Sequence, residues 1–208
     1  MKQGRMIVID GSNGAGKTTV IEALRDHLKH QNREAVFTRE PGGTPIGEKI
    51  REVLLSTDTS GMASVTELML FAAARAQHVR EKILPALQEG KVVISDRFDS
   101  ATLSFQHYAR GLPIGLITTL NDLAVDGLKP DLTIILDLDP EAGLARVSTR
   151  DSPDRLEKET LDFLRKAREG YLAQARLNPE RFIVIDASQS VGHVLSDVLQ
   201  AVDHILEC

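Results

Sequence analysis

Gly11-Ser12-Asn13-Gly14-Ala15-Gly16-Lys17-Thr18 is the stretch from which the fold can be read. It fills every fixed position of the phosphate-binding pattern G-x-x-x-x-G-K-[ST]. Ahead of it, Met6-Ile7-Val8-Ile9-Asp10 is a short apolar run, as a buried parallel strand would be. Behind it, Lys17–Lys29 has helical spacing, with Val20, Ile21, Leu24 and Leu28 on one face. A strand, a glycine-rich loop and a helix in that order aim a helix N-terminus at an anion. The glycines let the backbone wrap phosphate oxygens closely, with successive N–H groups pointing inward. In such a loop Lys17 reaches the β- and γ-phosphates, and the Thr18 hydroxyl holds Mg2+. The loop implies a nucleoside triphosphate without saying what is done with it.

Working outward, four more apolar runs read as strands: Glu34–Thr38, Lys91–Ser95, Leu132–Leu138 and Arg181–Asp186. Helical periodicity occupies Pro45–Leu55, Val65–Gln88, Ile114–Asp126, Pro140–Thr149, Lys158–Arg176 and Val191–Leu206. This alternation predicts a single α/β domain over residues 1–208, a five-stranded parallel sheet with helices on both faces. Ligands in such sheets bind beyond the C-terminal strand ends, which gathers Asp10, Arg39, Asp96, Asp137 and Asp186 at one edge. The 208 residues carry a net charge of −5, which argues against a broad nucleic-acid surface. No 18-residue apolar run is present, so no membrane span is expected. Cys208 is the only cysteine, and Met1–Arg5 leads straight into the first strand. A reduced, cytoplasmic setting without a leader peptide is therefore expected.

Several other segments carry chemistry. Ser95-Asp96-Arg97-Phe98 closes the third strand. There Asp96 suits Mg2+ through water, and Arg97 suits phosphate oxygens; a solvated ion pair would look the same. Arg39-Glu40-Pro41-Gly42-Gly43-Thr44 demands a tight turn, with a cis Glu40-Pro41 bond allowed. Phe71 and Arg75 share a helical face across small alanines. That pair suits either a stacked, hydrogen-bonded base or a core ring beside a rim ion pair. Arg146, Arg150, Arg155, Arg165 and Arg168 form a basic stretch around Asp151-Ser152-Pro153-Asp154, a polar break between helices. The histidines show no metal-ligand spacing.

Taken together in order, these segments resemble the thymidylate kinase family. The resemblance extends through Pro130-Asp131-Leu132-Thr133, Leu136-Asp137, Asp154-Arg155-Leu156-Glu157 and Ile185-Asp186-Ala187. It looks bacterial, because Arg150 supplies a basic residue in the lid while Ala15 stands inside the phosphate loop. The resemblance implies a P-loop nucleoside monophosphate kinase-like fold with a lid at about 146–157. It implies transfer from ATP to dTMP with Mg2+, and a homodimer formed by helix packing. The alternatives are a P-loop kinase for another deoxynucleotide or nucleoside, or a nucleotide-dependent switch ATPase.

The resemblance also assigns roles. Lys17, Asp96, Arg97 and Arg150 are catalytic. Gly11 to Thr18 and Gln189 hold ATP, and Thr18 and Asp96 serve the metal. Glu40, Pro41, Arg51, Phe71, Arg75, Arg97, Thr102 and Gln106 form the dTMP pocket. Asn13 stands where relatives commonly carry an acid, and Phe105 where a tyrosine often faces the sugar, so weaker selection at the sugar is expected.

Overall fold

The computed structural model describes residues 4–59, 61–147, 155, 156 and 158–207. β1 (Met6–Gly11) is buried along its whole length. It lies mid-sheet in the order β2-β3-β1-β4-β5, all strands parallel. The others are β2 (Ala35–Arg39), β3 (Val92–Asp96), β4 (Leu132–Asp137) and β5 (Phe182–Asp186). Successive side chains point to opposite faces. Ile7 and Ile9 join Val20, Leu24 and Leu28 of α1 (Lys17–His30) and Val194, Val198 and Val202 of α9 (Val191–Glu207). Met6 and Val8 pack instead with Val79, Ile83 and Ala86. Each such fully buried side chain contributes roughly 1.5–3 kcal/mol relative to exposure. Near-continuous burial holds for β1, β3 and β4, whereas the edge strands β2 and β5 are only partly covered.

The chain leaves β1 for the β2 side of the sheet and later crosses to β4 on the other. Where connections diverge in this way, a crevice opens beyond the strand ends. α2 (Pro45–Leu55) has the bounds expected from sequence. Its Thr44 hydroxyl caps the Gly47 N–H at 3.0 Å, and Pro45 occupies the first turn, where its missing N–H costs nothing. The stretch read as one helix over Val65–Gln88 is α3 (Ser64–His78), a π-helical segment Val79–Ile83 and α4 (Leu84–Gln88). The change of winding falls just before Pro85, which has no N–H for an i→i−4 bond.

Other helices are α6 (Ile114–Val125), α7 (Pro140–Val147) and α8 (Leu161–Leu177). α8 starts later than the Lys158 expected. Thr160 caps it, accepting from the Phe163 N–H at 3.2 Å. One helical stretch was not anticipated: α5 (Asp99–Thr102) running into a π-helical segment, Leu103–Ala109. Its buried residues are Ser100, Thr102, Ser104 and Gln106 with one large apolar side chain, Phe105, so it shows no apolar periodicity. Among the described residues no helix is long and apolar enough to cross a membrane.

α8 packs on this unanticipated stretch through Gly170. A Cβ there would lie 2.8 Å from the Ser104 Cα and 2.8 Å from the Tyr108 ring. Alanine favours a helix over glycine by about 1 kcal/mol, so a net loss in Gly170→Ala isolates the contact. We expect Gly170→Ala to lower stability by about 1–3 kcal/mol, read as a lower urea midpoint at unchanged slope. An unchanged midpoint would show that the two helices can separate at no cost.

Candidate active site

At the C-terminal ends of β1, β2 and β3 lies an open cleft of about 510 Å³. Its floor is the glycine-rich loop, represented by Asn13, Gly14, Gly16, Lys17 and Thr18. Glu40, Pro41, Arg51, Phe71 and Arg75 form one wall, and Asp96, Arg97, Thr102, Phe105 and Gln106 form another. The fold thus brings most of the residues expected from sequence to one place. Gly11, Ser12, Ala15 and Gln189 do not line the cleft. Gly11 and Ala15 are buried beneath the loop. Gln189 sits in the turn after β5, where its Nε2 donates to the Asp186 carbonyl at 3.3 Å. Arg150 lies outside the described residues.

The loop is held from beneath by Asp10, a fully buried carboxylate at the end of β1. Its Oδ1 accepts from the Gly11 N–H (2.9 Å), Tyr171 Oη (2.7 Å) and Arg97 Nη1 (3.0 Å). Its Oδ2 accepts from Ser100 Oγ at 2.7 Å. Every lone-pair direction of a buried charge needs such a partner. Burial, reinforced by the Asp10 charge, pushes the Tyr171 phenol well above its usual range, so it remains a neutral donor. On the loop's outer side, α7 approaches closely. A Cβ on Gly14 would lie 2.3 Å from the Gly143 carbonyl oxygen, so only glycine fits there. Lys17 Nζ donates to the Gly11 and Ser12 carbonyls at 3.2 and 3.0 Å.

Arg97 leaves β3 with φ at 69°, in the left-handed region that side-chain-bearing residues seldom adopt. That turn carries its guanidinium back over the loop. Nη1 also donates to Tyr171 Oη (2.8 Å) and the Gly11 carbonyl (3.1 Å), and Nη2 donates to Asn13 Oδ1 (2.7 Å). The guanidinium also lies 5.4 Å from the Phe105 ring centroid. Beside it, the Asp96 Oδ1 and the Thr102 Oγ1 are buried and have no hydrogen-bond partner among the described residues.

Arg75 is not the rim residue of the second reading, and its guanidinium is held in place from behind. It lines the cleft yet is only 1% exposed. Nε donates to Glu40 Oε2 (2.7 Å), Nη1 to Asn121 Oδ1 (2.7 Å) and Nη2 to the Phe98 carbonyl (3.0 Å). A guanidinium has five N–H donors, so two remain beyond these three bonds. Glu40 is also buried, and its Oε1 meets His78 Nδ1 at 3.0 Å. His78 Nε2 meets the Thr38 hydroxyl at 2.7 Å. The Glu40-Pro41 bond is cis, and the Pro41 carbonyl accepts from Arg51 Nη1 at 2.8 Å. Sequence reasoning missed Tyr171, Ser100 and His78. Their only signal was being polar amid apolar helical spacing.

Glu67, on α3 behind the cleft, was missed as well. It is 1% exposed and meets Gln106, Arg110 and Arg155. Burial would raise its carboxyl; the hydrogen bonds from Arg110 and Gln106 outweigh that and hold it below the usual glutamate range. No group of three or more histidine, cysteine or acidic side chains could hold a metal ion among the described residues.

A sequence profile of the thymidylate kinase family matches residues 9–198. Two bacterial proteins named thymidylate kinase are similar over nearly the whole chain. That of Symbiobacterium thermophilum is 48% identical over 200 residues, covering 96% of this chain and 93% of that protein. That of Hahella chejuensis is 45% identical over 200 residues, covering 96% of each. The crystal structure of thymidylate kinase from Ehrlichia chaffeensis superposes with a TM-score of 0.78 at 32% identity, covering 96% of this chain and 99% of that one. The loop, the buried Asp10 beneath it and these full-length likenesses lead to one conclusion: the chain belongs to the thymidylate kinase family.

Proposed function

We propose that this protein transfers the γ-phosphoryl group of ATP to dTMP, yielding ADP and dTDP. The observation that carries the reading is the cleft itself. It places a complete phosphate loop opposite a wall holding an aromatic ring, a buried arginine and an amide, Phe71, Arg75 and Gln106. The loop from Gly11 to Thr18 cradles the ATP phosphates with its backbone N–H groups, and Gln189 lies toward the adenine. The ring of Phe71 stacks on thymine, while the two spare Arg75 N–H groups and the Gln106 amide read its polar edge. Thr102, with its unpartnered hydroxyl, completes this pocket.

The acceptor and the donor are both anions, so the reaction first needs their repulsion offset. Arg51, anchored on the Pro41 carbonyl, and Arg97, anchored on the loop, hold the dTMP phosphate. An oxygen of that phosphate attacks the γ-phosphorus while the bond to the β-γ bridging oxygen breaks, and ADP leaves. Lys17 offsets charge on the β- and γ-phosphates as it develops. Its loop carbonyl partners are only about 3 Å away, so it reaches the nucleotide by exchanging acceptors. Mg2+ carried with ATP supplies further charge neutralisation. Thr18 and, through water, Asp96 would hold it, and the unpartnered buried Asp96 oxygen fits that task. Asn13 serves as a rest for Arg97, its single carbonyl already used on that guanidinium. The lid of this reading is residues 146–157, with Arg150 as its catalytic arginine; residues 148–154 and 157 lie outside the described residues.

The protein works as a homodimer in this reading. α2, α3 and α6 are neighbours and together expose Ile46, Val53, Val65, Met69, Ile114 and Leu123. Val65 and Met69 lie one helical turn apart. An apolar set of this kind on adjacent helices supports a covered face.

ADP release measured with dTMP, dUMP, UMP and thymidine as acceptors tests the reaction. Turnover highest with dTMP is expected, and ADP release independent of any acceptor would sink it. Lys17→Ala should reduce kcat by 10²-fold or more, on the order of one lost oxyanion-type donor, with the circular dichroism spectrum unchanged. Arg75→Ala should raise KM for dTMP and leave KM for ATP alone; its buried Glu40 partner then keeps only the His78 contact, so a fall in Tm accompanies it. Equal loss of affinity for ATP would move Arg75 to the donor side. Met69→Lys should halve the mass seen by light scattering at micromolar concentration, and an unchanged mass would remove this face from the dimer.

A further inference from the structure

The Glu67 carboxylate does not line the cleft, yet one of its oxygens is spent on a residue that does. Oε1 accepts from Gln106 Nε2 at 2.9 Å and from Arg110 Nε at 3.0 Å. Oε2 accepts from Arg110 Nη2 at 3.0 Å and pairs with Arg155 Nη2 at 2.6 Å. Arg155 is fixed in turn by the Leu54 carbonyl, which accepts from its Nε at 2.9 Å. An ionised carboxylate only accepts hydrogen bonds. Its hold below the usual glutamate range, with two guanidiniums against it, keeps it ionised at neutral pH. Gln106 must therefore turn its NH2 toward Glu67. The Gln106 side chain makes no other hydrogen bond among the described residues, and its amide oxygen is left as the acceptor for the cleft.

We infer that Glu67 is a positioning residue for base selection: by locking the Gln106 amide, it makes that part of the wall a hydrogen-bond acceptor and so favours a pyrimidine with a ring N–H. Thymine and uracil carry such an N–H. Cytosine presents a bare ring nitrogen there, and two acceptors then face each other. The inference rests on the acceptor-pocket reading of Gln106 given above. It adds that the amide's orientation is imposed from behind. Arg110 and Arg155 anchor the anchor, because each keeps the carboxylate charged and stationary.

Glu67→Gln is the informative change. The new amide keeps its oxygen where Arg110 Nη2 and Arg155 Nη2 converge; its NH2 replaces Oε1, gives up the single bond from Arg110 Nε and turns toward Gln106. Gln106 then flips, its oxygen accepting from that NH2 and its own NH2 facing the cleft. The kcat and KM for dTMP and dCMP, with ATP saturating, are measured together with Tm. In Glu67→Gln the ratio of kcat/KM for dTMP over dCMP should fall at least about tenfold, the scale of one hydrogen bond left unmade in a buried wall. KM for ATP should hold. Arg110→Gln weakens the same network without inverting the group that faces Gln106, so it should lower Tm and keep the ratio.

An unchanged ratio in Glu67→Gln, or an equal fall in Arg110→Gln, overturns the inference. Should Glu67→Gln fail to fold, the double variant Glu67→Gln with Arg110→Met removes one of the two guanidiniums, and with it the Nε donor that opposes the new NH2, and carries the same expectation. Gln106→Leu separates the two levels. If it leaves KM for dTMP unchanged, the pocket reading itself fails. If it raises KM while Glu67→Gln leaves the ratio alone, only the role of Glu67 fails.

Discussion

Asp10 is the fixed point of this molecule. A carboxylate with no exposed surface, at the end of the central strand, is tolerable only because four donors reach it. Those donors come from the phosphate loop, the turn after β3, α5 and α8. Each of these elements thus has one atom whose position is set by the same charge. Removing any one partner leaves a buried charge partly unpaired, a loss far larger than the ordinary worth of a hydrogen bond. The arrangement is a clamp, and its jaws are the phosphate loop and Arg97.

Buried ion pairs are weak evidence for stability, because desolvation consumes most of the attraction. Here they serve placement. Arg75, Glu40 and His78 form a second buried set, and Glu67, Arg110 and Arg155 a third. All three sets line the cleft or back the residues that do. An apolar filling of the same volume would pack as well but would leave the guanidiniums and amides at the surface free to rotate. Arg97 illustrates the cost accepted for position. Its left-handed backbone is disfavoured by roughly 1–2 kcal/mol, yet it is what turns the side chain back over the loop.

Much of this was legible in the chain. The loop pattern, the five apolar runs and the Pro45 helix start came through because each is written in local chemistry: glycines at tight turns, β-branched runs, a threonine cap. Strand bounds moved by a residue, as with β2, read as Glu34–Thr38 and found at Ala35–Arg39. What stayed hidden was the polar interior. The stretch from Asp99 to Ala109 is helical, but apart from Phe105 its buried residues are serine, threonine and glutamine, so a rule built on apolar spacing passes over it. Arg75 was visible as a pocket residue, but its burial was not, because nothing near it in sequence announces Glu40 or Asn121. Tyr171 and Glu67 were invisible for the same reason: their partners are distant along the chain.

That distance has a consequence for how the protein comes into being. Asp10 meets Arg97 across 87 residues, Ser100 across 90 and Tyr171 across 161. β1 finds neither sheet neighbour next to it in sequence, since β3 and β4 flank it and β2 lies beyond β3. Closing such long loops precedes the reward of contact, so assembly of this kind is slow. A chain that stops short of α8 carries every residue of the nucleotide motif and still lacks Tyr171, one of the four donors that hold Asp10 beneath the loop.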